Sequence, residues 1–439
     1  MIRFRPNPSS HNVNLWVVPL KMSLGAVLLF AITLTPDLLA ANHIIHIPDW
    51  FTMGGIDDAR AILSAMMGCV STVLALIFSV ALLVLSMVAN LFGPRLLYRF
   101  VQDWVTQTCI GLFMAAFIYV FLVFLVTHKD EHSEFIPQVS LITSWFIVLA
   151  AFAFLVFYSH RVAVLIQNPD AIGRIVDDLR HVAMLAAPFG PPEHLNPTES
   201  AAVSGDHAHM LSLSSGYLQH IDHPALVAAA ASAGAHISIP FRPGQFVLEG
   251  EALALVRPAS ALASVTPVVS RSFTLGRHRV LLQDLEFGLA QIVEIAIRAL
   301  SPAINDTFTG VACVDLLGEA LTVLAESPQR TGLWFDDGGT LRVRVRPLLF
   351  PRLVKQAFDQ IRQAAADNPA VLIRLLSTIG RLGPRLRAAD DRTALMEQAA
   401  AVWETANSRP LVEMDRHDIE AAWNKTRLAL AELAGATSR

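Results

Sequence analysis

Charge is scarce in this sequence. Only 16% of its 439 residues are Asp, Glu, Lys or Arg, against about 25% in ordinary soluble domains, while 54% are hydrophobic. That balance excludes a wholly soluble protein and points to a membrane-embedded part. Cysteine is nearly absent: Cys69 and Cys109 fall inside apolar runs and Cys313 in a helical stretch, so neither a disulfide framework nor a cysteine zinc site is readable. Lysine occurs only at Lys21, Lys129, Lys355 and Lys425. A net charge of −4 argues against a nucleic-acid partner. Phosphate loops, dinucleotide fingerprints, nucleophile elbows, zincin pairs and Cys-x-x-Cys are all missing. A Ser, His or Asp triad follows no sequence order, but nothing here picks one out, so the chain is read as non-enzymatic, with no cofactor.

What is present is four apolar runs: 14–39, 62–92, 104–127 and 136–158. Crossing a bilayer core takes about 20 apolar residues as helix, so each run can span. The first is too long for a secretory signal and lacks a clean small-x-small cleavage site. The second, uncharged from Arg60 to Arg95, is longer than a crossing needs and must tilt or project. Arg3, Arg5 and Lys21 flank the start, Arg95 and Arg99 lie between runs two and three, and Arg161, Arg174 and Arg180 follow run four. The intervening loops carry Asp49, Asp57 and Asp58, then Lys129, Asp130, Glu131 and Glu134. Excess Arg and Lys mark the cytoplasmic side, so both termini are expected there.

The second run holds a stripe of small residues: Ser64, Gly68, Ser71, Ala75, Ser79, Ser86 and Asn90, on one side of a helix. Small residues let helices approach closely in lipid. The alternative is a polar lining, with Ser64, Ser71, Ser79, Ser86 and Asn90 facing a wet path and Arg95 and Arg99 ringing its mouth. No span carries a central Asp, Glu, Lys or Arg, which argues against an ion-coupled pump but not against a passive channel.

Beyond run four, 162–206 reads as an amphipathic helix and a linker broken at Pro188-Phe-Gly-Pro-Pro192. Residues 207–270 read as a small β-barrel-like unit, with 246–248 and 252–256 pairing across Glu249-Gly-Glu251. Its Pro243-Gly-Gln-Phe-Val-Leu-Glu-Gly250 is similar to biotinyl and lipoyl carrier barrels. A carrier needs an attachment lysine, and none lies between Lys129 and Lys355, which excludes that role. His207, His209, His220, Asp222, His223 and His236 crowd the unit without the tight ligand pairs of a structural metal site. Residues 271–439 read as mainly helical, with a hairpin near 333–346 turning at Asp336-Asp-Gly-Gly339. Arg342, Arg344 and Arg346 alternate with Leu341, Val343 and Val345, a ladder that could meet phosphates or simply face water.

The densest stretch is 283–309. Leu285, Leu289, Ile292, Ala296 and Ala299 define one helical face, Glu294 and Arg298 pair four apart, and Pro302 ends the helix. Asn305 or Asp306 then caps a second helix. Asp284, Glu286, Arg298, Ser301, Asn305 and Asp306 are either caps of this corner or a contact site for a ligand or a subunit. Arg298-Ala-Leu-Ser-Pro-Ala-Ile-Asn-Asp306, with Gln283-Asp284 and Phe287-Gly288 before it, resembles the hallmark of a bacterial membrane family, domain of unknown function 2254. Pro94-Arg-Leu-Leu97, Phe100, Asp103, Gln107, Gly111, Phe113 and Tyr119 form a second match. The resemblance runs through nearly the whole chain and implies a membrane protein with a cytoplasmic C-terminal region, but no activity.

The expected architecture is therefore a four-helix transmembrane domain over 1–161, followed by a cytoplasmic α+β region. Two functions are open: a homo-oligomeric inner-membrane protein forming a passive or gated path, or a membrane-anchored sensor or scaffold. The expected partners are the bilayer, further copies of the chain, and an anionic lipid or small ligand.

Overall fold

A computed structural model describes residues 16–41, 55–92, 103–130, 133–167, 170–184, 206–327, 331–386 and 388–436. The chain divides into two compact units, Met1–Asn168 and Pro169–Arg439.

Four long apolar helices build the first unit: α1 (Val17–Ala41), α2 (Ile56–Phe92), α3 (Trp104–Val126) and α4 (Gln138–Gln167). All four are long and apolar enough to cross a membrane. A short hairpin of β1 (His128–Asp130) and β2 (Ser133–Phe135) joins α3 to α4. The other three helices all pack on α3. Asp103 starts it, accepting hydrogen bonds from Thr106 N and Oγ1, both at 3.1 Å. Gly111 lets α1 approach, since a Cβ there would stand 3.1 Å from the Pro19 Cα. Phe113 and Tyr119 are fully buried, the former edge-on to Phe152 at 5.6 Å between ring centroids.

Where α1, α3 and α4 meet, a polar network is buried. Asp37 accepts from Val139 N at 2.8 Å, Ser140 N at 3.0 Å and Ser140 Oγ at 2.7 Å, so a side chain of α1 caps α4. Ser140 Oγ also reaches Thr33, whose hydroxyl lies 2.7 Å from that of Tyr119. An unpaired carboxylate would be costly among apolar helices, and these three donors offset part of that cost.

The second unit opens with α5 (Asp170–Met184), the expected amphipathic helix, which packs on the helical core of this unit; the expected linker over 193–206 lies almost wholly outside the described residues. Eight strands follow: β3 (Ala208–Leu211), β4 (Gly216–Ile221), β5 (His236–Ile239), β6 (Phe246–Val247), β7 (Ala252–Arg257), β8 (Phe273–Gly276), β9 (Leu333–Phe335) and β10 (Leu341–Val345). With them come α6 (His223–Ser232) and α7 (Leu262–Ser272). The strands form two sheets, ordered β3-β7-β5-β10-β9 and β6-β4-β8. The expected barrel is thus not closed: closure would join the end strands of one sheet, and instead β3 and β9 are edges of the first and β6 and β8 of the second. The expected pairing of 246–248 with 252–256 does not form either. Gly250 N and Glu251 O bond Ser212 at 2.9 and 2.8 Å, which diverts the chain from one sheet into the other. The hairpin at 333–346 joins this unit, because β10 runs parallel to β5, setting Val343 opposite Ile237 and Val345 opposite Ile239. One apolar core, including Leu218, Ile237, Val256, Val269 and Val343, lies between the sheets and the two helices.

Six further α-helices of the unit lie among the described residues: α8 (Leu285–Ala299), α9 (Thr307–Ala325), α10 (Phe350–Ala364), α11 (Pro369–Leu382), α12 (Ala389–Asn407) and α13 (Glu413–Ala436). By length and composition α9 could also cross a membrane. Its Glu319 pairs with Arg180 of α5 at 2.6 Å and its Asp315 with Arg374 of α11 at 3.5 Å. A helix held by such pairs, with Val314, Leu317 and Leu321 fully buried between its neighbours, is a core helix of this unit.

His223 stacks on Trp334, 3.9 Å between centroids and within 8° of parallel, pinning α6 to the hairpin. Burial, reinforced by His220, pushes its pKa down to about 3. The unfolded chain takes up this proton near the ordinary value of 6.5, and the folded chain only near 3. Stability is therefore lost as pH falls through that window, at about 1.4 kcal/mol per pH unit from this group. His223→Phe should flatten the fall: between about pH 6.5 and pH 5 the thermal midpoint of the wild type should drop more than that of the variant.

Candidate functional site

The sequence nominated one site along 284–306, and the structure divides it. A helix rises about 1.5 Å per residue, so the two ends of α8 stand roughly 20 Å apart. Asp284 and Glu286 lie at its start, and Arg298, Ser301, Asn305 and Asp306 lie at or beyond its end.

The far end is a capped corner. Helix α8 stops at Ala299, where Ser301 Oγ donates to Arg298 O at 2.7 Å. Arg298 sits 3.4 Å from Glu294, as their spacing foretold. Asp306, not Asn305, caps α9, accepting from Thr309 N at 3.0 Å and Thr309 Oγ1 at 2.6 Å. Those bonds hold its carboxyl below the usual carboxylate range. Asn305 instead takes a left-handed turn with φ of 50°, a conformation its short polar side chain tolerates. The corner is apolar on its surface: Ile304 is 43% and Phe308 89% exposed.

Charged side chains from three distant stretches meet at the near end. Asp284 caps α8 through Phe287 N at 3.0 Å and receives both Arg279 Nε at 2.7 Å and Arg279 Nη2 at 2.9 Å. Burial pushes its carboxyl upward, opposed by this guanidinium; the two-pronged contact is that of an ionised carboxylate. For Arg279 burial works against the charge, but the bonds to Asp284 outweigh it and raise its pKa. The Arg279 guanidinium also lies over the Phe287 ring, 5.4 Å from its centroid.

Glu286, 6% exposed, is shared by two arginines. Arg352 Nε of α10 donates at 2.6 Å, and Arg242 Nη2 lies 3.4 Å from both carboxylate oxygens. Arg242 comes from the turn before β6, where its own N–H is held by Gln245 Oε1 at 2.8 Å and its Nη1 donates to Pro347 O at 2.7 Å. Burial lowers its pKa, Glu286 resists, and the nearby charges of Arg352 and Arg346 add to the lowering. Gly244, with φ of 89°, belongs to this turn, and a Cβ there would collide with the Asp284 carboxylate. The segment that resembled a carrier barrel therefore serves as a cradle for two charged pairs. Beside it opens a cleft of about 370 Å³ lined by Arg279, Glu286, Arg352, Lys355, Gln356, Asp359 and Gln360.

Reading the sequence missed Arg242, Arg279, Arg352 and Lys355; the one available signal was a cation adjoining each turn or helix start. The arginine ladder is dispersed, since Arg342 is bound to Asp336 at 2.7 Å while Arg346 lies close enough to act on Arg242. Among the described residues no three His, Cys, Asp or Glu side chains gather as a metal site. In the membrane unit Ser64, Ser71, Ser79 and Ser86 are all exposed on α2. Arg95, Arg99 and the side chain of Asn90 lie outside the described residues.

Four membrane-length helices followed by an α+β unit are the features of a multi-span membrane protein. The chain belongs to the family Predicted membrane protein (DUF2254), whose model matches residues 12–381. It is 28% identical over 375 residues to uncharacterized proteins of Mycobacterium bovis and Mycobacterium tuberculosis, covering 82% of this chain and 70% of each relative. No solved structure matches it.

Removing the Glu286 carboxylate leaves Arg242 buried without its counter-ion. Glu286→Ala should cost about 3–5 kcal/mol, as for other broken buried pairs. Glu319→Ala breaks a pair with both side chains over 40% exposed and should cost less than about 1 kcal/mol. Denaturant titration of the full chain in detergent compares the two.

Proposed function

We propose that this protein is a non-enzymatic, membrane-anchored sensor or scaffold of the bacterial inner membrane. Both termini are cytoplasmic, and the C-terminal unit binds a small ligand or a protein. The observation that carries this reading is the cleft between α8 and α10. Its arginines are fixed by buried carboxylates, while Arg352 keeps 57% of its side chain exposed beside it. A preorganised charged edge of this kind favours recognition, because little side-chain freedom remains to be lost on binding. The corner at Ile304 and Phe308 offers an apolar surface for a protein contact. Reporter fusions after Pro94 and at the C-terminus should prove cytoplasmic and a fusion near Asp130 periplasmic. In lipid nanodiscs, small metabolites that raise the thermal midpoint of the wild type should fail to do so for Arg352→Ala. A periplasmic C-terminus, or stabilisation indifferent to Arg352, would sink the proposal.

A second reading concerns self-association. Along α2, Leu63, Val70, Ile77 and Val84 are buried at seven-residue steps, and the small-residue stripe occupies the uncovered face. A second copy is the natural occupant of such a face in lipid, where small side chains allow close helix approach. The hydroxyls do not require water: Ser71 donates to Gly68 O and Ser79 to Ala75 O, both at 3.0 Å. Dry helix packing is therefore favoured over a passive path lined by the serines. Single cysteines from 64 to 90, in a background without Cys69, should resist a water-soluble thiol reagent on the stripe and cross-link between copies. Labelling along the stripe, together with bilayer currents that depend on Arg95, would restore the channel.

A further inference from the structure

The charges around the near end of α8 do not balance. Arg242, Arg279, Arg352 and Lys355 gather there, with Arg346 close enough to act on Arg242, and Asp284 and Glu286 are the carboxylates that the first three arginines share. Asp284 is taken up by Arg279, and Glu286 by Arg352 and Arg242 together. The remaining acid of the cleft, Asp359, lies 3.7 Å from Arg362, which balances it. Lys355 has no ion-pair partner among the described residues, and Arg352 uses only its Nε on Glu286. Gln356 spends one amide bond on Glu286 O at 2.7 Å and lines the cleft with Gln360. The cleft thus presents an excess of positive charge and hydrogen-bond donors, with its own carboxylates already engaged.

We propose that this cleft binds a phosphate-bearing anion, with Lys355 and the outward nitrogens of Arg352 as its principal contacts and Arg279, Gln356 and Gln360 around it. A single carboxylate ligand would leave much of the excess charge uncompensated. A phosphate group brings about two negative charges and several acceptor oxygens, matching an ammonium, a guanidinium edge and two amides. The volume of about 370 Å³ admits a diphosphate or a phosphate ester. The source is either a soluble phosphorylated compound or a phospholipid headgroup; the recognising chemistry is the same. This inference rests on the reading of the C-terminal unit as a binding module.

The test uses the full chain in nanodiscs of neutral phosphatidylcholine, titrated calorimetrically with inorganic phosphate and with pyrophosphate. Pyrophosphate should bind the wild type. Lys355→Ala should weaken that binding about tenfold, Lys355→Glu should abolish it, and added salt should weaken it throughout. Lys355 is exposed and makes no hydrogen bond among the described residues, so neither change threatens the fold; Lys425→Ala is the control. Nanodiscs containing phosphatidylglycerol separate the sources. Pyrophosphate binding suppressed there, and restored by neutral lipid, identifies a headgroup as the occupant; unchanged binding identifies a soluble phosphate. Equal pyrophosphate affinity in wild type and Lys355→Ala, or no binding with either lipid, overturns the proposal. Succinate binding that depends on Arg352, without pyrophosphate binding, overturns it while leaving the binding-module reading intact.

Discussion

Much of the C-terminal unit hangs on one buried carboxylate. Glu286 begins α8, yet its oxygens belong equally to the turn before β6, through Arg242, and to α10, through Arg352. Residues more than forty apart in sequence are thereby fixed within hydrogen-bonding distance, and the sheets, α8 and α10 cannot shift independently. Burying such a cluster is expensive, and replacement by apolar groups often stabilises a fold. A fold that keeps it gains orientation: the guanidiniums of Arg279 and Arg352 are set at a cleft edge with few rotamers left to them. The same contacts that tie the elements together thus set the geometry of the cleft edge.

The membrane unit solves a related problem with different means. A bilayer core offers a polar group few partners, and between α1, α3 and α4 Asp37 is answered by two backbone N–H groups and a hydroxyl of α4. Tyr119 and Thr33 complete the network, and toward the start of α1 Gly111 leaves room for Pro19 and Met22. Along α2, the hydroxyls of Ser71 and Ser79 turn back onto their own helix. One region is specified by hydrogen bonds between helices, whereas Ser71 and Ser79 of α2 bond only within their own helix.

Local chemistry was legible from the residues alone. Four apolar runs became four long helices because hydrophobic length is a property of the segment itself. The periodic face of α8, its end before Pro302 and the capping of α9 followed from side chains acting on their own backbone within a few positions. Asp306 rather than Asn305 took the cap because the chain needed a left-handed residue first, and Asn305 supplied it.

What lay beyond reach was every pairing made across the chain. Nothing near 246–256 signals that β6 and β7 part into different sheets, or that β10 arrives from about a hundred residues away to sit beside β5. Arg242, Arg279 and Arg352 look like ordinary surface cations until folding carries them to Asp284 and Glu286, and the Gly244 turn looks like a carrier tip until the carboxylate behind it is seen. The sequence by itself determined which segments are apolar, where helices begin and end, and that no attachment lysine exists. The tertiary structure alone decided which charges meet, because Coulomb attraction and hydrogen bonding act on distance in space, and distance along the chain does not encode it.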